Sequence, residues 1–134
     1  LTGLERFTTY FYRVKTGKLR SDILQFKTPP FSGEAASFNL IAMSDMQIDR
    51  SQPDKFNEVV NEGIMKYLQE QFGGEVPDNL ALVMIPGDLV AQGSNYEQWN
   101  TDFFKPSEKL FSEVPVYPVP GNHEQNSQFF FKCM

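Results

Sequence analysis

The sequence has few of the features that indicate disulfides, membrane spans or nucleic-acid binding. Its 134 residues include one cysteine, Cys133, so no intrachain disulfide can form and the thiol content indicates no compartment. No apolar run reaches the roughly 18 residues that span a bilayer, so no membrane span is expected. The 12 lysines and arginines are scattered and the net charge is −5, which argues against a nucleic-acid-binding surface. No feature of the sequence indicates an oligomeric state.

What is present is the composition of an ordinary globular domain. With 40% hydrophobic and 22% charged residues, a chain of this length can form one domain with a core. There are three apolar runs, at 38–45, 80–88 and 114–120. The first two end in an aspartate, and the third leads directly into Gly121-Asn122-His123. The run 80–86 shows no alternation of apolar and polar residues, which predicts a strand covered on both faces.

Two helical patterns separate these three runs. The apolar stripes consist of Phe56, Val59, Val60, Ile64, Tyr67 and Leu68 in residues 53–72, and of Tyr96, Trp99, Phe103 and Phe104 in the second pattern. Pro53 suits the first turn of the first helix, and Gly73-Gly74 is expected to end it. Pro106 is expected to interrupt the second helix, with a short turn at 107–111 completing the crossover. The order β-α-β-α-β predicts an α/β fold with parallel strands, and the prolines in 114–119 predict a sheet-edge or bulged position for the last strand, not a central one.

The N-terminal residues show an antiparallel pattern instead. Residues 8–14 and 21–28 are rich in β-branched and aromatic residues on either side of a turn at Gly17, which predicts two antiparallel strands. The spacing Leu4-x3-Thr8-x-Tyr10-x2-Arg13-Val14 resembles the end of a fibronectin type III module. In such a module a tyrosine hydroxyl hydrogen-bonds to the backbone just upstream. Tyr10 is the candidate for that corner tyrosine.

This resemblance divides the chain into three parts. Residues 1–30 are expected to be the C-terminal strands of a fibronectin III-like module. Residues 31–37 are small, polar and glycine-bearing and are expected to be a linker, short enough for the two flanking parts to touch. Residues 38–134 are then the α/β part of the chain.

The polar groups at the three strand ends form a series. In chain order they are Asp45-Met46-Gln47, Gly87-Asp88 and Gly121-Asn122-His123-Glu124. Such oxygen and imidazole donors suit hard or borderline divalent cations. The series resembles the calcineurin-like metallophosphoesterase superfamily, whose pattern is Asp-x-His, Gly-Asp and Gly-Asn-His-Asp/Glu. The resemblance implies that 38–134 is the N-terminal half of a four-layered metallophosphoesterase sandwich, with its β-α-β-α-β order.

The resemblance also implies a dinuclear metal site. Two divalent cations, of Mn, Fe, Zn or Mg, would clamp a phosphoryl oxygen and generate a hydroxide that attacks phosphorus in line with the leaving group. Asp88 would bridge the two cations, Asp45 would hold the first and Asn122 the second. His123 would be the catalytic residue, as proton donor to the leaving group or as stabiliser of the transition state. The implied protein is a secreted or periplasmic hydrolase of phosphate mono- or diesters, with the phosphate ester as its partner.

Three departures from the family pattern affect these expectations. Gln47 stands where the family has a histidine; its amide oxygen is a candidate ligand that favours manganese, magnesium or iron over zinc. Ala91 stands where purple acid phosphatases carry the tyrosine of Gly-Asp-x-x-Tyr, so we expect a relative of that architecture without tyrosinate colour. The family takes further histidine ligands from later loops, whereas this chain has one histidine. We therefore expect the activity to belong to a longer parent protein, and this chain alone to turn over little or nothing.

Several of these residues also have purely structural interpretations. Asp88 alone would be an ordinary turn aspartate, and His123 alone would be a structural histidine. Asp49 and Glu124 are expected to be solvated or hydrogen-bonding groups and not ligands. Core positions are expected for Met43, Met46, Met65, Met84 and the stripe of Trp99, Phe103 and Phe104.

Two further expectations concern the parent protein. The three phenylalanines at 129–131 are too apolar for a solvated tail and are expected to pack on parts of the parent outside this chain. The alternative function is a non-catalytic adhesion or ligand-binding protein whose phosphoesterase domain has decayed. Gln47 and the missing histidines would then be the signs of that decay.

Overall fold

A computed structural model describes residues 2–134 of the chain. The strands are β1 (Thr9–Tyr12), β2 (Lys15–Thr16), β3 (Leu19–Arg20), β4 (Leu24–Lys27), β5 (Leu40–Ala42), β6 (Leu82–Ile85) and β7 (Val116–Pro118). The helices are α1 (Lys55–Asn57), α2 (Lys66–Phe72), α3 (Val76–Asn79), α4 (Tyr96–Gln98), α5 (Lys105–Glu113) and α6 (Gln128–Cys133), with the π-helical segments π1 (Glu58–Met65) and π2 (Trp99–Phe104). The order from β5 to β7 confirms the predicted β-α-β-α-β arrangement.

Strands β5, β6 and β7 form a parallel sheet with β6 in the centre. β7, the strand with the prolines, lies at an edge as predicted. One face of the sheet carries Ile41, Val83 and Val116 in register, and it packs against both crossover helices in a single core. Val83 and Ile85 of the central strand are fully buried there.

The opposite face of this sheet is bare in residues 2–134, so the prediction of a strand 80–86 covered on both faces is wrong for this chain. Met84 is 47% exposed and Tyr117, its neighbour in register on β7, is 59% exposed. Both helices lie on the Val83 face, so the alternate residues of β6 point away from the core. Met84 is therefore not the core residue that the sequence predicted, whereas Met46 is buried and Met43 and Met65 pack against the core.

The first crossover helix consists of α1, π1 and α2 without a break. It ends at Gly73-Gly74 as predicted, where both glycines have positive φ. Of its predicted stripe, the side chains of Phe56, Val60 and Leu68 are buried. Val59 and Tyr67 are exposed, which corrects the prediction: they border an apolar groove beside β5 instead of entering the core.

The second crossover helix consists of α4, π2 and α5, also without a break, and the predicted interruption at Pro106 is wrong. Pro106 lies where the π pattern changes back to the α pattern, so its missing N–H falls at a point where the hydrogen-bond ladder is already shifted. The Ser107 hydroxyl donates to the Phe103 carbonyl at 2.5 Å and provides a partner for that group. Trp99 and Phe103 are in the core as predicted, and Phe104 packs against it.

The N-terminal ribbon, formed by β1 and β4, is antiparallel as predicted. A small extra hairpin of β2 and β3 lies between its strands, around Gly17. The Tyr10 hydroxyl accepts the Glu5 backbone N–H at 2.7 Å, which is the upstream bond predicted for a corner tyrosine. The fibronectin III-like module itself stays a prediction.

The N-terminal ribbon packs against the helices of the α/β part. The Tyr12 hydroxyl donates to the Ser112 carbonyl at 2.5 Å, and Lys27 pairs with Asp78 at 2.7 Å. Partial burial, and to a smaller extent the nearby Glu113 carboxylate, raises the pKa of Tyr12. The connecting residues 31–37 contain no helix or strand and are exposed, and their role as a linker stays a prediction.

Helix α6 corrects the expectation for residues 129–131. Phe130 is buried against Trp99 of this same chain, with the two ring centroids 6.3 Å apart, and Phe129 packs against the core. Phe131 remains 66% exposed. A separate finding is that no helix within 2–134 has both the length and the apolarity to cross a bilayer.

Candidate metal centre

The three polar strand ends meet at one edge of the parallel sheet. Parallel strands end at the same edge, so the loops after β5, β6 and β7 are neighbours there. The Met46 N–H donates to the Asp88 carbonyl at 2.9 Å, which joins the first loop to the second. The His123 N–H donates to Asp88 Oδ1 at 3.2 Å, which joins the third loop to the second. Asp88 is therefore at the centre of the arrangement.

Asp88 is half-buried and adopts a left-handed backbone conformation, with φ of 54°. Aspartate tolerates this conformation better than most residues, but the conformation still costs energy and occurs often at functional sites. Its N–H donates to the Glu124 carboxylate at 3.0 Å, while its carbonyl and side chain accept from the two other loops. The surrounding loops thus fix the backbone from which this carboxylate projects.

Asp45 has the same backbone conformation but a more open environment. Its φ is 58° and its side chain is exposed. The Ser44 hydroxyl donates to Asp45 Oδ2 at 2.5 Å, a contact within its own loop. Asp49 lies four residues further along and is exposed, in agreement with the predicted alternative of a solvated group. Hydrogen bonds from the Ser51 N–H and hydroxyl lower its pKa.

Three glycines, Gly87, Gly93 and Gly121, permit the loops after β6 and β7 to touch, and the approach is tightest at the last two. A Cβ on Gly121 would lie 2.2 Å from Asp88 Oδ1 and 2.5 Å from the Asp88 nitrogen. A Cβ on Gly93 would lie 2.4 Å from the carbonyl oxygen of Glu124. Neither position has room for any side chain, so the contact between the two loops depends on glycine at both.

Among the residues of the candidate site, Glu124 is the one whose role the sequence indicates least clearly. The sequence left two alternatives for this residue, a solvated group or a hydrogen-bonding group. Its side chain is fully buried, so the second alternative is the correct one. Its carboxylate accepts four backbone N–H groups, those of Asp88 (3.0 Å), Leu89 (2.8 Å), Val90 (3.1 Å) and Gly121 (2.7 Å). The signal in the sequence was its place directly after Gly-Asn-His; nothing local indicated its burial.

His123 is oriented by the main chain. Its Nδ1 lies 2.9 Å from the Ala91 carbonyl oxygen. Because a carbonyl can only accept, Nδ1 carries the hydrogen, and Nε2 is the nitrogen that can face a substrate. The Gly93 N–H also donates to the His123 carbonyl at 3.0 Å, which fixes the backbone of the same residue.

The two predicted amide ligands differ in their surroundings. Asn122 is exposed between Gly121 and His123, on the loop that contacts Asp88. Gln47 lines a cleft of about 220 Å³ together with Asp45, and its Oε1 is buried. Within 2–134 this oxygen has no hydrogen-bond partner, and such an atom is costly unless a ligand pairs with it.

These residues fit a hard divalent cation only in part. The donor set consists entirely of oxygen atoms, which magnesium and manganese accept. It comprises the carboxylates of Asp45 and Asp88, the exposed amide of Asn122 and the unpaired, buried amide oxygen of Gln47. No three His, Cys, Asp or Glu side chains among the described residues lie close enough to hold a metal by themselves. The arrangement brings the three loops together, and the individual ligand assignments of Asp45, Gln47, Asp88 and Asn122 stay predictions.

Comparisons with known proteins agree with this fold. The purple acid phosphatase PPD1 from seeds of yellow lupin (Lupinus luteus) matches 87% of this chain with a TM-score of 0.60 and 20% sequence identity. The chain spans 20% of the length of that protein. A search of curated proteins found no match. The sequence model of the calcineurin-like phosphoesterases matches residues 38–133, and the chain belongs to this family, whose members use divalent metal ions.

Proposed function

We propose that the protein containing this chain is a dinuclear-metal-dependent phosphoesterase that hydrolyses phosphate mono- or diesters. The observation that carries the proposal is the position of Asp88, which is hydrogen-bonded to the loops after both neighbouring strands. Family membership supports phosphoesterase chemistry in general. The activity is proposed for the whole protein, because this chain corresponds to a fifth of the matching lupin enzyme.

The proposed ligands are Asp45, Gln47, Asp88 and Asn122. The two cations, when bound, would polarise the phosphoryl group and make hydroxide available at neutral pH. Asp88 is the proposed bridging ligand, because its backbone lies between the other two loops. Gln47 offers the unpaired Oε1, and an amide ligand there favours manganese, magnesium or iron over zinc.

His123 is the proposed catalytic residue. With Nδ1 donating to the Ala91 carbonyl, the ring presents Nε2 to a bound ester. A protonated Nε2 can donate to the leaving-group oxygen as the bond to phosphorus breaks, or stabilise the negative charge that develops on the phosphoryl oxygens. The half-exposed position of the ring is compatible with either role.

We also propose the domain division 1–30, 31–37 and 38–134. The antiparallel ribbon and the bond between Tyr10 and Glu5 support a fibronectin III-like origin for the first part. The proposed localisation, secreted or periplasmic, rests on the resemblance alone.

The function is tested by Mn²⁺-dependent hydrolysis of an aryl phosphate by the full-length protein. We expect Asp88→Asn to lower kcat/KM by about a hundredfold or more, because loss of a bridging carboxylate removes several kcal/mol of electrostatic stabilisation. Asp49→Asn is the matched control, an exposed acid on the loop after β5 that is not a proposed ligand. Its activity should stay near that of the wild type.

Equal activity of wild type and Asp88→Asn would refute the role of that aspartate. A full-length protein without Mn²⁺-dependent turnover and without Mn²⁺ binding would instead favour the alternative, a binding protein with a decayed phosphoesterase domain. Under that alternative the unpaired Gln47 oxygen would have no cation to bind.

A further inference from the structure

We infer that Glu124 is a positioning residue, which holds Asp88 in the backbone conformation from which it can bind metal. The inference rests on the proposed function in one respect only, the identification of Asp88 as a ligand. Glu124 itself is not proposed as a ligand, because both of its carboxylate oxygens are occupied by hydrogen bonds from backbone N–H groups.

The first step of the argument is the geometry of the carboxylate. Oε1 accepts the N–H groups of Leu89 and Val90, and Oε2 accepts those of Asp88 and Gly121. Three of the four donors are consecutive residues of the loop after β6, and the fourth belongs to the loop after β7. One fully buried side chain therefore clamps the two loops together.

The second step is the cost of losing this acceptor. Leu89 and Val90 are fully buried, so their N–H groups have no access to water. Buried N–H groups are almost always paired in native structures, and unpaired ones destabilise the segment that carries them. Without the Glu124 carboxylate, the consecutive N–H groups of the loop would require another arrangement of the backbone.

The third step connects this loop to the metal ligand. Asp88 has a φ of 54°, which is unfavourable in isolation and persists only where neighbouring contacts hold it. Its N–H is bound by Glu124, its carbonyl by the Met46 N–H and its Oδ1 by the His123 N–H. Of these three contacts, the one to Glu124 is the contact that a substitution outside Asp88 can remove, since the other two come from backbone N–H donors.

The test compares two substitutions of Glu124 with a control. Glu124→Gln keeps the size of the side chain but replaces one acceptor oxygen with an NH₂ group that would face two N–H donors. Glu124→Asp keeps both oxygens but is shorter by one methylene, so it cannot reach all four donors at once. Glu62→Gln removes one negative charge at an exposed position of the first crossover helix.

Three quantities are measured for the full-length protein. Amide hydrogen exchange at Leu89 and Val90 in the metal-free protein reports the clamp directly. Mn²⁺ affinity, measured by electron paramagnetic resonance of free Mn²⁺, reports the ligand geometry. The kcat and KM for an aryl phosphate separate an effect on chemistry from an effect on substrate binding.

We expect Glu124→Gln to speed exchange at both amides and to weaken Mn²⁺ binding about tenfold to a hundredfold, as is typical when the partner of a metal ligand is removed. The kcat should fall by a similar factor while KM stays within about threefold, because Glu124 does not contact substrate. Glu124→Asp should fall between the Gln variant and the wild type. Glu62→Gln should match the wild type in all three quantities.

A folded Glu124→Gln variant that binds Mn²⁺ as tightly as the wild type would overturn the inference. If the Gln variant does not fold, Glu124→Asp decides by the same criterion. Failure of the proposed function would give a different pair of results. Exchange at Leu89 and Val90 would still be faster in Glu124→Gln, which would establish the clamp. Asp88→Asn, however, would bind Mn²⁺ as tightly as the wild type does. That second result would remove the ligand and with it the positioning role.

Discussion

The two aspartates of the candidate site have the same backbone conformation but different support. Asp45 and Asp88 both follow a parallel strand and have φ values of 58° and 54°. Asp88 is half-buried and bound to both neighbouring loops, whereas the Asp45 side chain is exposed and, within residues 2–134, hydrogen-bonds only to Ser44 of its own loop. The site therefore has a supported side, formed by the loops after β6 and β7, and an open side, the loop after β5.

This difference indicates how the site is organised. The supported side is pre-arranged by the chain itself through Glu124 and the close glycines, so a cation would find Asp88 already placed. The open side keeps an unpaired Gln47 oxygen, and its order would depend more on the bound cation. The following variants and measurements test that contrast.

Gly121→Ala should have the largest effect, because it breaks the supported side. The added Cβ would lie 2.2 Å from Asp88 Oδ1, so the loops after β6 and β7 must separate. We expect a loss of about 3 kcal/mol or more in the free energy of unfolding, measured by urea denaturation. Gly63→Ala is the control, since its Cβ would meet nothing closer than 3.8 Å. Equal losses in the two variants would show that the contact at Gly121 is not special.

Gln47→His should change metal preference on the open side. Imidazole is a better zinc ligand than an amide oxygen, so zinc affinity should rise about tenfold relative to manganese. Competition titrations of the full-length protein measure the ratio. Gln52→His is the control, because Gln52 lines the same cleft but is exposed and is not a proposed ligand. The same rise in both variants would mean that any histidine in the cleft suffices.

Addition of Mn²⁺ should order the open side more than the supported side. Amide exchange at Gln47 and Ile48 should slow about threefold or more, because the cation would fix a loop with few contacts of its own. Exchange at Leu89 and Val90 should change little, since Glu124 already binds their N–H groups. Hydrogen exchange with and without Mn²⁺ gives all four values. Equal slowing on both sides would contradict the contrast.

Ser44→Ala should have the smallest effect. It removes the Ser44 hydroxyl bond to Asp45, which is solvent-exposed, so the free energy of unfolding should change by no more than about 0.5 kcal/mol. Thr101→Ala is the matched control, because the Thr101 hydroxyl makes the same kind of contact to the neighbouring Asp102 outside the site. If Ser44→Ala lost nearly as much free energy of unfolding as Gly121→Ala, the loop after β5 would be supported as strongly as the other two loops.

The sequence predicts the positions of the strand ends well because that signal is local. Apolar runs that stop at Asp45 and Asp88 are read directly from the chain, and parallel strands then bring their ends to one edge. The Tyr10 bond to Glu5 is equally local, since the two residues are five apart. The series of motifs therefore predicts the site region and the family before any coordinates are known.

Two of the errors have a common cause in contacts between residues distant in sequence, and the third lies in the backbone geometry of a helix. Glu124 is buried because four N–H groups, three of them 34 to 36 residues away, surround it. Met84 is exposed because both crossover helices lie on the other face of the sheet, which an apolar run alone cannot indicate. Pro106 lies within a helix because the π pattern before it accommodates the missing donor, a property of backbone geometry that propensity does not report.

The bond from His123 to Ala91 has a consequence for how such sites can diversify. The acceptor is the main-chain carbonyl of residue 91, so imidazole orientation does not depend on which side chain that residue carries. By the resemblance of the motifs, position 91 corresponds to the tyrosine of Gly-Asp-x-x-Tyr in purple acid phosphatases. A substitution at position 91 can therefore change the side chain next to the candidate centre while leaving the His123 imidazole oriented as before.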